Sequence, residues 1–497
     1  MSELLLLLLA LPAAGALLLT VSGPRGEVPA RWLGLGITAV NAIVAIALAT
    51  GFESDRTSLQ AETNVSWIPA LGVRFHIGID GISLPLVLLT VLLGLLCAAY
   101  TLRWLPHPGN ARAFTALLLL LQSALIGTFV AADLLLFFAF FEAVLIPMYF
   151  VIAGWGGEGR GAAAQKFILV TVAGSAVMLL GLLVIGLQSG TFDMVALAQA
   201  EGAVLPRSAQ VLAFGAIGLG FAIKTPAFPF HSWLPDAHTA APTVGSVLLA
   251  GVLLKMGTYG FVRIGLPIVP EGAEFWAPVL GVLGVAGILY GSLACLAQND
   301  LKRLIAFSSV GHMGFVLLGI ATLTEAGVNG ALFANIAHGV ITGLLFFLVG
   351  GIKDRDGTTS FAALPRALYA RAPRLGAILL IAAVASLGLP GLAGFPGEFL
   401  AMVGSFSPAE GQDLVLFRTL TVLAAIGTVL TAAYLLQMVR RVNQGPVDGA
   451  PAVADVRPLE AVAWLPLVAL SIAFGVLPFL LLDVTTPAVA ALLGGAV

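Results

Sequence analysis

Apolar residues recur along this chain in runs of about eighteen or more, separated by short polar connections. At 1.5 Å of rise per helical residue, each run is about long enough to cross a hydrocarbon core of roughly 30 Å. The runs lack the period-2 alternation of barrel strands. Within lipid only helices and closed barrels satisfy their own backbone, so the pattern predicts helices. It gives about fourteen spans, near residues 3–21, 31–51, 82–102, 113–130, 133–154, 167–189, 209–233, 243–263, 275–297, 304–322, 326–352, 375–405, 414–439 and 459–482. The fold class is therefore an all-α polytopic membrane protein. The first run follows Glu3 rather than a basic segment and leads directly into further spans, so it reads as a membrane helix and not a signal peptide. The longest connection, about residues 52–81, holds Glu53, Asp55, Glu62 and Asp80 and is expected to be a partly ordered surface loop.

Composition strengthens this picture. The chain is 59% hydrophobic and 10% charged, against roughly 25% charged in soluble domains. A net charge of −2 offers nothing to nucleic acid. The two cysteines, Cys97 and Cys295, lie inside apolar runs without CxxC spacing, which suits packing rather than a disulfide, a metal or an iron–sulfur site.

The basic residues orient the spans. Odd-numbered connections hold sixteen of the 23, including Arg25, Arg31, Lys302 and Arg303, while even-numbered ones hold five: Arg56, Arg74, Arg207, Arg263 and Arg418. Positive charge accumulates on the cytoplasmic side, so both termini are expected on the opposite side. The remaining two, Lys224 and Lys255, fall within spans, as do Glu142, Glu398, His312 and His338, with Asp133 at a span entrance.

An ionisable group at the bilayer centre costs about 2.5–3.5 kcal/mol and usually serves function. Burial draws lysines and carboxylic acids in general toward neutral titration, as a proton relay requires. The structural alternative is a static Glu142–Lys224 ion pair locking two helices. Two spans carry Pro/Gly interruptions beside a charge: Lys224-Thr-Pro226-Ala-Phe-Pro229 in the seventh and Pro390-Gly-Leu-Ala-Gly-Phe-Pro396-Gly-Glu398 in the twelfth. Proline removes a backbone donor, so the helices should break there. Breaks five spans apart fit inverted repeats with the site at the breaks, spans 4–8 and 9–13; ordinary proline kinks are the alternative. This divides the chain into a three-helix segment (1–112), two repeats (113–263 and 264–440) and a C-terminal helix (441–497).

His312 and His338 read as relay members, with interhelical hydrogen bonding as the plainer role. Ser308, Ser309 and Thr342 are suited to hold bridging waters. His231 and His238 flank the seventh connection, where proton uptake and capping of the turn are both open. No P-loop, dinucleotide fingerprint, CxxCH or cysteine cluster is present in the sequence, so the chain is expected to bind no nucleotide and carry no electrons.

The stretches Phe75–Ser83, Glu142–Tyr149, Lys224–His238 and the Glu398 segment resemble the chain M (subunit 4) family of proton-pumping NADH:quinone oxidoreductase, respiratory complex I, over nearly the whole chain. That family belongs to a superfamily of antiporter-like subunits, which includes membrane-bound hydrogenase arms and multisubunit Na+/H+ antiporters. Glu398 separates this type from its sisters, which generally carry lysine there. The resemblance implies Glu142 paired with Lys224, Lys255 at the centre, His312 and His338 bridging, and Glu398 as the exit-side acid. It implies a bacterial inner membrane, partner membrane-arm subunits including two antiporter-like sisters, and NADH, FMN, iron–sulfur clusters and quinone on partners only, with no cofactor or metal in this chain. An antiporter or hydrogenase subunit and a purely anchoring subunit are the rival expectations.

Overall fold

The computed structural model describes residues 1–22, 26–446 and 452–494, so Arg25 and part of the expected C-terminal segment lie outside the described residues. Among the described residues, 12 helices are long and apolar enough to cross a membrane. The two expected spans absent from that set are those with Pro/Gly interruptions. One is a helix Arg207–Lys224, an irregular stretch, a turn Phe230–Ser232 and a helix Trp233–Ala240. The other is Pro373–Ser386, an irregular stretch with Gly388 and Gly391 in the left-handed region, and Gly394–Phe406.

The first helix ends at Lys224, two residues before Pro226, where the ring leaves no N–H to continue the ladder. Pro396 corrects the expectation. It sits in the first turn of Gly394–Phe406, where a missing N–H costs nothing, so it opens the second half instead of breaking it. Pro390 alone of that pair lies in the break.

The connection 52–81 is also corrected. It contains an antiparallel hairpin, β1 (Gln60–Ile68) and β2 (Val73–Ile79), with Asn64 opposite His76. The alternation Val73, Phe75, Ile77, Ile79 is a strand pattern too short to register beside spans of twenty residues. At the C-terminal end, the single helix expected over 459–482 is two, Pro458–Val476 and Phe479–Leu492, divided before Pro478.

Helices Leu301–Ala321 and Glu325–Asp356 are enclosed along their apolar length, and Thr243–Ile268 nearly so, while Leu414–Asn443 is largely open to the surroundings. Lys255, His312 and His338 ride on these enclosed helices. Gly397 lets Gly394–Phe406 approach the backbone of Glu325–Asp356 at Ala334, where a Cβ would collide, and so brings the next residue, Glu398, against that helix.

Connections gather by parity. Asp236 meets both Lys166 (2.7 Å) and Arg303 (3.0 Å), and Arg31 donates to the Leu102 carbonyl (2.9 Å). On the other face, Ala132 N–H donates to the His76 carbonyl at 2.8 Å and Gln412 to Glu274 at 3.2 Å. Lys302 departs from its expected place in a solvated loop: it is buried, and its ammonium donates to the Ala241 carbonyl.

His76 latches the hairpin, its Nδ1 bonded to Asp193 (2.7 Å) and its Nε2 to Glu62 (2.9 Å). Burial alone would lower its pKa, but the Asp193 bond and the charges of Asp193 and Glu62 outweigh it and raise it above the ordinary 6.5. Protonated His76 therefore stabilises docking fully below about pH 6.5, and that stabilisation is lost as pH rises through the raised value. A hydrogen bond to a charged group is worth about 1.5–3 kcal/mol. Proteolysis within residues 60–79 should accelerate from pH 6 to pH 9 beyond the protease's own pH response, and His76→Leu should remove the difference.

Candidate proton relay

Lys255 sits at the centre of Thr243–Ile268, where a π-helical turn, Leu249–Leu253, precedes it. Wider i→i+5 bonding displaces carbonyls from their usual partners. The Ala250 carbonyl accepts from Lys255 Nζ at 2.5 Å, and Nζ also meets His338 Nδ1 at 2.6 Å. Lys255 is fully buried, and no carboxylate among the described residues pairs with it.

His338 Nε2 has no protein partner, and the His338 and His312 rings stand edge to face with centroids 5.7 Å apart. A cavity of about 20 Å³ lies between them, lined by His312, His338, Thr342, Ser386 and Glu398. One water needs roughly 10–15 Å³ and two to four polar partners, and both conditions are met. Beyond the cavity, His312 Nδ1 meets Glu398 Oε1 at 2.8 Å and its Nε2 meets Ser386 Oγ at 3.0 Å. Lys255, His338, His312 and Glu398 thus form one polar line with a single water-sized gap. The two direct junctions are short enough to pass a proton between heteroatoms, and one water spans the reach between the histidines.

Lys224 is not joined to that line by a hydrogen bond. Its ammonium is buried without a hydrogen-bond partner and lies 4.6 Å from the centre of the Phe141 ring. Glu142 lies at the end of Leu134–Ala143, beside a helix discontinuity, and its Oε1 is likewise unpartnered. The expected ion pair is therefore open: the two charges act on each other through space, without contact. Phe141, one residue before Glu142, takes the position over Lys224.

The accessory residues divide. Asp133 caps Leu134–Ala143 through Leu135 and Leu136 N–H and accepts Arg74 N–H at 3.1 Å, which is docking chemistry. His231 packs among Phe228, Tyr290 and Phe307, apart from the line. His238 is buried and stacked on Phe346 at 4.5 Å with both ring nitrogens unpartnered, so it does not cap the turn. Ser308 and Ser309 turn their hydroxyls to the Ile305 carbonyl instead of the cavity, whereas Thr342 lines it.

Two polar residues of the site escaped the sequence reading. Ser386 ends its helix just before a Pro/Gly break, a signal that was available. Asn335, one turn before His338, accepts from Thr258 Oγ1 at 3.1 Å and ties the two central helices together. Among the described residues no group of three His, Cys, Asp or Glu side chains is arranged to hold a metal ion.

Residues 131–424 match the family described as NADH:quinone oxidoreductase/Mrp antiporter, TM. The chain is 40% identical over 506 residues to "NADH-quinone oxidoreductase subunit M" of Rhodobacter capsulatus, covering 99% of this chain and 96% of that one. It is 41% identical over 477 residues to "NAD(P)H-quinone oxidoreductase chain 4 1" of Synechococcus sp. (strain JA-3-3Ab), covering 94% and 89%. In the structure titled "Respiratory complex I from Thermus thermophilus with bound NADH", one chain superposes with a TM-score of 0.88 at 32% identity, covering 99% of each chain.

Proposed function

This chain belongs to the NADH:quinone oxidoreductase/Mrp antiporter membrane family, of the subunit M and chain 4 kind, and from that premise we propose that it carries protons along the line Lys255, His338, His312 and Glu398. It is a membrane-arm subunit of NADH:quinone oxidoreductase, respiratory complex I. In this proposal the redox chemistry, with its NADH, FMN, iron–sulfur clusters and quinone, belongs to partner subunits, and two antiporter-like sisters are among the partners of this chain. It lies in a bacterial inner membrane with both termini away from the cytoplasm, and 113–263 and 264–440 are inverted repeats after an N-terminal segment of 1–112.

The observation that carries the proposal is the polar line, broken only by one water-sized cavity, through helices otherwise packed with apolar side chains. A buried ammonium with no counter-ion is costly and is retained where its charge is used. In the proposed cycle the open Glu142–Lys224 pair is the gate. A neighbouring subunit closes or opens it when quinone is reduced, and the field at Lys255 changes in step. Each charge moved against the membrane potential costs about 2.3 kcal/mol per 100 mV, which a change in one buried ion pair can match.

The test uses the intact complex in sealed vesicles. Glu398→Gln keeps the shape and the hydrogen bond to His312 but cannot release a proton, so protons pumped per electron should fall. Unchanged pumping would remove Glu398 from the path, and unchanged pumping by a complex of lowered stability would favour the anchoring role. Sodium-dependent proton movement without quinone reduction would favour the antiporter reading. Ser386→Ala should cost less, several-fold in rate, because it frees His312 Nε2 and with it the tautomer that aims Nδ1 at Glu398. Ser386→Thr should restore the rate.

A further inference from the structure

Thr243–Ile268 carries a second polar series that leads away from Lys255 toward the hairpin face. Tyr259 and Arg263 follow at four-residue steps, about 6 Å of helix rise each. Both line an open cavity of about 710 Å³, far beyond the roughly 10–15 Å³ one water needs. Its lining includes Ser58, Glu62 and Gln199, polar partners for water within a largely apolar wall. Water on this face therefore reaches within one helical step of the relay's central lysine. A pump whose relay stood open at that point would lose its gradient.

The contacts at the cavity floor close that step. The Tyr259 hydroxyl donates to the Phe129 carbonyl at 2.8 Å and accepts from Arg263 Nε at 3.2 Å. Its one proton and a lone pair are committed to groups that neither take nor give up a proton under ordinary conditions, since the guanidinium stays charged. Arg263 is held by Asp80 at 2.5 Å. Asp80 is in turn fixed by Ile82 and Ser83 N–H at 3.1 and 3.0 Å. The Tyr259 ring stands edge-on to Phe129 at 5.3 Å and leaves the residue 1% exposed. No hydrogen bond joins Tyr259 to Lys255.

We propose that Tyr259 and Arg263, anchored by Asp80, form a proton seal between a water-filled cavity on the hairpin face and Lys255. The wire is interrupted by saturation: the Tyr259 hydroxyl is engaged by the Phe129 carbonyl and the Arg263 guanidinium, and none of its bonds reaches Lys255. The proposal rests on Lys255 being a relay group, and its test separates the two ideas.

The intact complex is reconstituted in liposomes and the decay of an imposed pH gradient is followed without NADH. Tyr259→Phe and Arg263→Gln should each accelerate the decay several-fold while quinone reduction continues, whereas Arg263→Lys, which keeps a charged donor, should leak less than Arg263→Gln. Adding Lys255→Ala to Tyr259→Phe should abolish the leak. Ala198→Cys, on the cavity wall, should react in the assembled complex with a membrane-impermeant maleimide, since native Cys97 and Cys295 are buried. Wild-type decay in both assembled Tyr259→Phe and Arg263→Gln, a leak that Lys255→Ala leaves untouched, or an unreactive Ala198→Cys would overturn the seal. The relay reading fails on different data, namely unchanged pumping in Lys255→Ala alone.

Discussion

Lys255→Ala in the intact complex should abolish the protons carried by this chain while leaving the complex assembled. The substitution removes a fully buried ammonium that no carboxylate among the described residues offsets, so no orphaned counter-charge remains among them. What it removes is the ammonium's bond to the Ala250 carbonyl and to His338 Nδ1, a cost of about 1–3 kcal/mol that removal of the buried charge offsets in part. A group that accepts and returns a proton typically contributes on the order of 10²–10⁴ in rate, so the path should be silent on the timescale of turnover. The measurement is gradient formation against quinone reduction in sealed vesicles. Lys255→Arg sharpens it: a guanidinium preserves charge and hydrogen bonding but does not release its proton, so it should be as silent as alanine. A purely anchoring lysine predicts the reverse, with arginine tolerated and alanine destabilising.

The second large effect concerns stability. Arg355, in the last turn of Glu325–Asp356, and Glu460, in the first turn of Pro458–Val476, form a doubly hydrogen-bonded pair at 2.6 and 2.7 Å with side chains 1% and 0% exposed. Each charge also suits the helix end it occupies. Arg355 further holds the Ala454 and Asp455 carbonyls at 2.7 and 3.0 Å. Arg355→Ala should destabilise by about 3–5 kcal/mol, because it strands a carboxylate that has no water to turn to. Glu460→Ala should do the same, and the double change Arg355→Met with Glu460→Leu should cost less than either. Thermal dissociation of the purified complex would show the order. Equal effects for single and double changes would mean that the pair is not the source of the stability.

Much of the candidate site was legible because membrane burial makes charge conspicuous. Lys224, Lys255, Glu398, His312 and His338 stand out in runs where almost every neighbour is apolar, and the structure brings four of them into one line. Asn335 did not stand out, since small polar residues are common in membrane helices and only contact distinguishes it, whereas Ser386 was marked only by its place before the Pro/Gly break. Lys302 was misplaced because a basic residue at a helix start looks like a solvated loop charge until a neighbouring carbonyl is found over it. The Glu142–Lys224 pair was expected closed, and the structure holds it open, with the Phe141 ring over Lys224.

The sequence by itself determined the helical spans and the two Pro/Gly breaks, because lipid demands about twenty apolar residues per crossing and proline cannot donate to a ladder. It also determined which side chains carry charge into the interior. Only the tertiary structure decided how those charges connect: the π-turn that offers Lys255 a carbonyl, the glycine contact that sets Glu398 against its neighbouring helix, the water-sized gap between two histidines, and the saturated tyrosine beyond Lys255. These depend on distances fixed to within a few tenths of an ångström, most of them between residues far apart in the chain. Periodicity and composition carry no information at that scale, because they record which face a residue occupies and not what stands opposite it.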